Sequence, residues 1–206
     1  MAGYTIIPTL SARRNQYEKG GAMIRTLVVV AEIAFVAGSF VSGQTHPAAK
    51  IVSADAFDVI GIKCRTNNAN EASGKGCIGQ QWERLVSEGV LRKIPSRADN
   101  NIFAVYTDYA SDKDGDYTYI LGAKVKPGTT APFGMVKTTV KAGRFALFTS
   151  EKGPVQQVVA ANWKRIWEVP KSQPGGDRLY ESDFELYDER AADPKNAEMD
   201  IFIRIR

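Results

Sequence analysis

The stretch YESDFELYDERAADPKNAEMDIFIRIR, residues 180–206, decides the fold. Two runs of alternating character within it, residues 183–187 and 199–205, enclose a polar loop that contains Pro194 and Asn196. Alternation of this kind on both sides of a short polar loop predicts an antiparallel pair of strands. Residues 180–206 are therefore expected to form a β-hairpin.

The two faces of the first run differ in chemistry. Alternation directs Phe184 and Leu186 to one face and Asp183, Glu185 and Tyr187 to the other. A glutamate between aromatic neighbours is either solvated on an open sheet face or held in a cleft as a fixed negative charge. Because glutamate is seldom buried without a partner, solvation is the default for Glu185, and Asp183 is expected to be a solvated strand end.

Composition limits the classes of function. The chain has 206 residues, of which 44% are hydrophobic, so it can bury a core as one domain or two fused half-domains. Its net charge of +4 comes from lysines and arginines interleaved with acids, which does not favour nucleic acid as a partner. His46 is the one histidine and two cysteines are present, so no metal site, no cofactor and no histidine-based catalytic site is expected.

The N-terminal part has the pattern of an export signal. Arg25 precedes the apolar run TLVVVAEIAFVAGSFVSG, and residues 23–43 together are typical of a signal peptide that leads to the periplasm. Glu32 interrupts the run, so no stable membrane span is expected. Residues 1–22 are interpreted as a leader before a start at Met23. A buried helix or a disordered extension of a cytoplasmic protein remains the alternative.

The order of elements after residue 50 occurs twice. The patterns predict a strand over 51–65 broken by Gly61, a helix over 78–90 that ends near Gly89, strands over 102–109, 117–125, 134–142 and 144–150, and a helix over 153–168. The final hairpin completes a second unit of strand, helix and hairpin, so pseudo-repeats are placed at 51–126 and 134–206. The expected product is an α+β fold, an antiparallel sheet with both helices against it and a groove between the halves.

Three phrases carry a family resemblance: VYTDYASDKDGDYTYILGAKV (105–125), GRFALFTSEKGPVQQVVAANWKRIW (143–167) and DFELYDERAADPKNAEMDIFIRI (183–205). In this order they resemble the GyrI-like small-molecule-binding family, in particular its integron-associated effector-binding members, and cover residues 51–206. The family also includes the effector-binding domains of AraC-type and MerR-type regulators. The resemblance implies duplicated strand-helix-strand-strand units in a curved antiparallel sheet, and a central cleft that takes cationic or amphipathic compounds. No helix-turn-helix is visible, and the export signal also departs from a regulator.

The resemblance identifies one candidate ligand-binding residue, and the predicted faces of the helices and strands give the others. Glu185, in the phrase DFELY, matches the pocket glutamate of the family, and a cation that stacks on aromatic rings would offset the cost of burying it. Trp163 is preferred over Trp167 as the tryptophan that reaches the groove. The complete set of candidates is Glu185, Trp163, Trp82, Tyr106, Tyr119 and Tyr187. Core packing remains the alternative for each tryptophan, and a solvated or edge position for each tyrosine.

Two further groups of residues have simpler interpretations. The aspartates at 108, 112, 114 and 116 lack the closing glutamate of a calcium loop, so a turn is predicted there. Cys64 and Cys77 flank a polar loop; in an exported protein they would form a disulfide that stabilises the fold by about 3 kcal/mol, and in the cytoplasm they would remain thiols.

The leading hypothesis is a stand-alone protein, monomer or homodimer, that binds a hydrophobic, cationic small molecule for sequestration or sensing. The first alternative is a hydrolase of reactive electrophilic compounds, with Glu185 and Tyr106 as a general acid-base pair. A third hypothesis, a protein-interaction module of the gyrase-inhibitor type, rests on the family name alone.

Overall fold

The computed structural model describes residues 49–169 and 176–206. The leader, the signal peptide and the start at Met23 that the sequence predicts fall on residues 1–48 and lie outside the described residues. The strands of the described part are β1 (Lys50–Ala54), β2 (Phe57–Thr66), β3 (Ile102–Thr107), β4 (Tyr117–Val125), β5 (Val136–Val140), β6 (Gly143–Thr149), β7 (Ser182–Tyr187) and β8 (Asp200–Arg204). Its helices are α1 (Asn68–Ala72), α2 (Ile78–Ser87), α3 (Val90–Lys93) and α4 (Val155–Glu168).

The strands form one antiparallel sheet in the order β1-β6-β8-β7-β3-β4-β2-β5. The first unit is β2-α2-β3-β4 and the second is β6-α4-β7-β8, so the six inner strands have the same order from either end. The pair β3 and β7 joins the two units at the centre. The predicted α+β fold with a curved sheet is confirmed, and α1 and α3 are additional short helices.

The edges of the sheet show why it is curved. Only residues 55 and 56 separate β1 from β2, yet β1 pairs with β6 and β2 lies near the other edge. Residues 141 and 142 link β5 to β6 across the sheet in the same way. Because such short links bring both edges close together, the sheet curls around one face, whose core contains Val59, Phe103, Val105, Ile120, Val140, Phe145 and Phe184.

Gly61 does not break a strand, so that part of the prediction is wrong. The break falls at residues 55 and 56, and Gly61 lies inside β2 opposite Gly122 of β4. A side chain on either glycine would collide with the backbone of the opposite strand. The pair of glycines therefore allows close approach between two strands, which a single sequence does not distinguish from a break.

The helices cover the opposite face of the sheet. On α4, Val158, Asn162, Trp163 and Ile166 are buried at helical spacing. The predicted helix that begins at Ile78 and ends near Gly89 is confirmed as α2, and the left-handed conformation of Gly89 (φ 60°) separates it from α3. No helix in the described ranges has the length and apolar character needed to span a bilayer.

Candidate ligand-binding site

A buried carboxylate lies at the seam between the two halves. Glu185 is on β7, opposite Ala104 of β3, and is 1% exposed. Its Oε1 accepts hydrogen bonds from the Tyr106 hydroxyl (2.8 Å) and the Trp163 indole N–H (2.6 Å), and its Oε2 accepts one from the Tyr187 hydroxyl (2.7 Å). The solvated alternative for Glu185 is therefore wrong.

The elements that hold these donors follow from sequence periodicity. Tyr187 and Glu185 are two residues apart on β7 and share a face. Tyr106 lies on β3 and points to the same side of the sheet, and Trp163 lies on the buried face of α4. Both halves of the duplicated fold thus contribute to the site.

Burial raises the pKa of Glu185, and the hydrogen bonds from Trp163, Tyr187 and Tyr106 oppose this increase. Burial also raises the pKa of Tyr106 and of Tyr187 well above the usual value, and the nearby Glu185 carboxylate raises both further. The two hydroxyls therefore remain protonated donors. Among the described residues, none places a cation within ion-pair distance of Glu185.

Aromatic rings surround this carboxylate. The Tyr106 ring lies 5.2 Å from that of Tyr119 and 4.9 Å from that of Trp163, and the Trp82 ring contacts Tyr187 edge-on at 5.0 Å. Burial raises the pKa of Tyr119, and the nearby Trp82 indole opposes this increase. The two side chains are not within hydrogen-bond geometry, and the Tyr119 hydroxyl is buried without a partner in the described part of the chain. Among the described residues, the Tyr119 hydroxyl is therefore the one at this site that could still form a hydrogen bond with a ligand.

The structure brings all six candidate residues together. Four of them form the hydrogen-bonded centre: Glu185, Tyr106, Trp163 and Tyr187. Tyr119 and Trp82 join it through ring contacts. Trp167 is 41% exposed and lies 6.1 Å from Trp163, on the outside. That these residues contact a ligand remains a prediction.

A second buried carboxylate lies beside the first. Asp183, two residues before Glu185 on the same face, is fully buried and pairs with Arg178 at 2.6 Å. Its Oδ2 also accepts from the Tyr109 hydroxyl (2.7 Å) and its Oδ1 from the Arg204 amide (2.7 Å). The expectation of a solvated strand end is wrong. Arg178 precedes β7 in a segment without periodicity, so alternation gives no sign of this pair.

A disulfide joins two elements next to the aromatic residues of the site. Cys64 and Cys77 are joined, with their Cα atoms 6.4 Å apart. Cys64 lies directly opposite Tyr119 in the pairing of β2 with β4, and Cys77 precedes the helix that carries Trp82. The Glu71 carboxylate accepts from the Cys77 amide at 2.8 Å, which satisfies one donor at the start of α2. The disulfide therefore holds two parts of the aromatic wall in register.

The acidic stretch between β3 and β4 is a hydrogen-bonded turn. The Asp112 carboxylate accepts from the Asp114 amide, and Lys113 pairs with Asp114 at 2.8 Å. Asp116 accepts from the Asn67 amide group at 2.8 Å. Within residues 49–169 and 176–206, no group of three or more potential ligands could hold a metal ion.

Comparison with known proteins agrees with this architecture. A model of the GyrI-like small molecule binding domain matches residues 48–206. A putative transcriptional regulator, YobU of Bacillus subtilis (strain 168), is 30% identical over 147 residues, which are 71% of this chain and 90% of the relative. An integron cassette protein from the mobile metagenome of Vibrio cholerae is 26% identical, with a TM-score of 0.58 over 77% of this chain and 96% of the other. A structure of SAV2435 bound to tetraphenylphosphonium has a TM-score of 0.61 at 16% identity, over 77% and 93% of the two chains, and shows the shared fold alone.

Proposed function

The chain belongs to the GyrI-like small-molecule-binding family, and on that premise we propose that it binds a hydrophobic, cationic small molecule at Glu185. The rings of Trp163, Tyr106 and Tyr187 supply apolar surface around the carboxylate. The ligand supplies the positive charge that the described residues do not place there.

One contrast carries this proposal. Asp183 and Glu185 are both buried on the same face of β7, but among the residues that the structure describes a cation pairs with Asp183 and none with Glu185. A buried carboxylate without a counter-ion is costly, since its hydration is lost and hydrogen bonds replace it only in part. A site that keeps such a group among neutral donors is suited to a cation that comes from outside.

The Arg178 contacts show what such a cation would meet. Its guanidinium carbon lies 4.4 Å from the centre of the Tyr180 ring and 5.7 Å from that of Tyr109 while the group pairs with Asp183. A carboxylate, a tyrosine hydroxyl and aromatic faces thus already bind one cation within this fold. Glu185 has the same three kinds of group around it, and cation–π attraction strengthens when the cation is desolvated.

The test is a tryptophan-fluorescence titration with tetraphenylphosphonium, the cation named for SAV2435, and with neutral triphenylphosphine oxide as its analogue. Trp163 reports directly, since its indole touches Glu185. We expect saturable quenching by the cation, weakened about tenfold or more in Glu185→Gln, because a lost charge-assisted contact costs about 1.5–3 kcal/mol. Binding of the oxide should change little.

Glu181→Gln is the matched control. It removes the same charge from an exposed position four residues before Glu185, so it should bind the cation as the unmodified protein does. Equal affinity of the cation for Glu185→Gln and for the unmodified protein would refute a role for the carboxylate. Absence of saturable binding to the unmodified protein would refute the choice of ligand class.

Hydrolysis is the second candidate, and the Tyr106 contact favours it. The Tyr106 hydroxyl lies 2.8 Å from Glu185, whose pKa is raised by burial. The pair can therefore act as a general acid that protonates an electrophilic substrate. Incubation with a strained-ring electrophile, followed by mass spectrometry, distinguishes the two functions. An enzyme would form the hydrolysed product and lose this activity in Glu185→Gln, whereas a binding protein would return the compound unchanged.

We also propose that the protein is exported and works by sequestration or sensing outside the cytoplasm. The Cys64–Cys77 disulfide supports this proposal, because such bonds persist in oxidising compartments. Cell fractionation with a C-terminal tag tests it: we expect the protein in the periplasmic fraction. Recovery in the cytoplasm, with both thiols free to alkylation, would refute it.

A further inference from the structure

An apolar depression opens at one end of the cleft. It is lined by Trp82, Ile102, Val155, Tyr187, Asp188, Ala191 and Ala192. Tyr187 belongs both to this depression and to the buried centre, because its hydroxyl donates to Glu185 at 2.7 Å. The depression and the carboxylate are therefore separated by a single aromatic ring.

We propose that this depression is an outer subsite where a lipophilic cation binds first, and that the cation passes Tyr187 to reach Glu185. The inference rests on the proposed function and names the route to the same site. It assigns a role to Asp188, Trp82 and Ala192 that the buried centre does not require.

Charge at the rim favours a cation. Arg190 pairs with Asp188 (2.9 Å), Glu198 (2.8 Å) and Asp200 (2.6 Å). Within the described part of the chain, these ion pairs set three carboxylates against one guanidinium, so the group has an excess of negative charge. Burial opposes ionisation of Asp188, but hydrogen bonds from Arg190 outweigh it and hold the pKa of Asp188 below its usual value. A cation is attracted to this rim, with a strength that salt reduces.

The charged group beside Trp163 has a different character. Arg178 lies over the face of Trp163, with its guanidinium carbon 5.8 Å from the ring centre, and pairs with Asp183. The one carboxylate within ion-pair distance of this guanidinium among the described residues is thus already neutralised. A cation is therefore favoured beside Asp188 over the surroundings of Arg178.

The ring between the two positions is buried in the core, where Tyr187 is 6% exposed. Among the described residues its hydroxyl has one hydrogen bond, to Glu185, and its ring contacts Trp82 edge-on at 5.0 Å. When the Tyr187 ring turns away, Glu185 keeps its bonds from Tyr106 and Trp163. Passage therefore costs this hydrogen bond and the core packing of the ring, and leaves the carboxylate positioned for the cation.

Stopped-flow fluorescence with tetraphenylphosphonium tests the outer subsite. Asp188→Asn should slow association about threefold or more at low salt, since charges near a binding surface act mainly on the association rate. The matched control is Glu198→Gln, which also removes one carboxylate from Arg190 but does not line the depression. Its effect should be smaller. Equal association rates for Asp188→Asn and Glu198→Gln would overturn the role of Asp188.

Ala192→Phe tests the route itself. Ala192 is exposed and lines the depression, so a phenylalanine there fills the path without touching Glu185. Association and dissociation should both slow about fivefold or more while the dissociation constant changes little, because a blocked path raises the barrier in both directions. Ala160→Phe adds the same ring at an exposed position of α4 outside the depression and should leave both rates unchanged.

The outcomes separate the two proposals. If Ala192→Phe leaves both rates unchanged while Glu185→Gln still weakens binding, the route is wrong and the proposed function stands. If the unmodified protein shows no saturable binding of tetraphenylphosphonium, both are overturned.

Discussion

Trp163 donates its indole N–H to Glu185 Oε1 at 2.6 Å. The positively charged guanidinium of Arg178 lies over the face of the same indole, 5.8 Å from the ring centre. The indole thus lies between the buried carboxylate of Glu185 and the partly exposed guanidinium of Arg178. Arg178 does not neutralise Glu185, because it is already paired with Asp183. Glu185 is therefore left available for a ligand, and measurements of stability and of binding can detect this.

Glu185→Gln should stabilise the unbound protein, increasingly so as pH rises. Burial raises the pKa of Glu185, so the contribution of this group to stability is present below its ordinary value of 4.5 and is lost as pH rises through the raised value. Glutamine does not titrate, and its amide can replace the acceptor that Trp163 and Tyr106 use. Each unit of raised pKa is worth about 1.4 kcal/mol.

Thermal melts of Glu185→Gln and the unmodified protein from pH 4 to pH 8 check this prediction. The difference in Tm should widen toward high pH in favour of Glu185→Gln. Glu181→Gln, at an exposed position, controls for the change in net charge. A difference that is constant with pH would show that Glu185 does not titrate in this range.

Affinity for a cation should rise with pH until Glu185 is ionised in the free protein. Below its raised pKa the carboxyl is neutral, so a cation that binds must expel a proton. The neighbouring hydroxyls of Tyr106, Tyr187 and Tyr119 have raised pKa values and stay neutral, and Asp183 is already paired. The pH dependence is therefore assigned to Glu185.

Calorimetric titration with tetraphenylphosphonium in two buffers of different ionisation enthalpy measures this proton release. We expect release near the pKa of Glu185, and none in Glu185→Gln. Affinity that falls with increasing pH would contradict the prediction.

Periodicity explains how much of this site the sequence predicts. Alternation on β7 places Glu185 and Tyr187 on one face, and helical spacing places Trp163 and Trp167 on one side of α4 without distinguishing the buried one from the exposed one. Both follow from local geometry, which depends only on nearby residues. The burial of Asp183 depends on Arg178, which lies outside any regular element, and no local pattern reports such a contact.

The edges of the sheet show the same limit. The sequence pattern of residues 51–65 is that of one strand, whereas the chain divides it between β1 and β2, which lie far apart in the order of the sheet. Which strands pair at an edge depends on curvature, and the curved sheet encloses the cluster that contains Phe145 and Phe184. The alternation pattern of a single strand does not predict long-range packing of this kind.

Loss of the disulfide should lower stability without removing the carboxylate site. Cys64→Ser combined with Cys77→Ser opens a loop between positions separated by 13 residues, which on the chain-entropy model costs about 3 kcal/mol. Glu71 still accepts from the amide at position 77, so α2 keeps one of its N-terminal contacts. Urea denaturation measures the loss, and the unmodified protein in reducing buffer is the control. Equal stability of the oxidised and reduced unmodified protein would refute the prediction.

Arg178→Met should destabilise the fold by about 3 kcal/mol, because it leaves the Asp183 charge buried without its cation. The double variant Arg178→Met with Asp183→Asn should recover part of that loss, since the Tyr109 hydroxyl and the Arg204 amide can still donate to the neutral side chain. Urea denaturation of the single and double variants measures the coupling. If the double variant were no more stable than Arg178→Met, the loss would come from the packing of Arg178 on Tyr180 and not from its charge. The contrast between a paired Asp183 and an unpaired Glu185 would then lose its energetic basis.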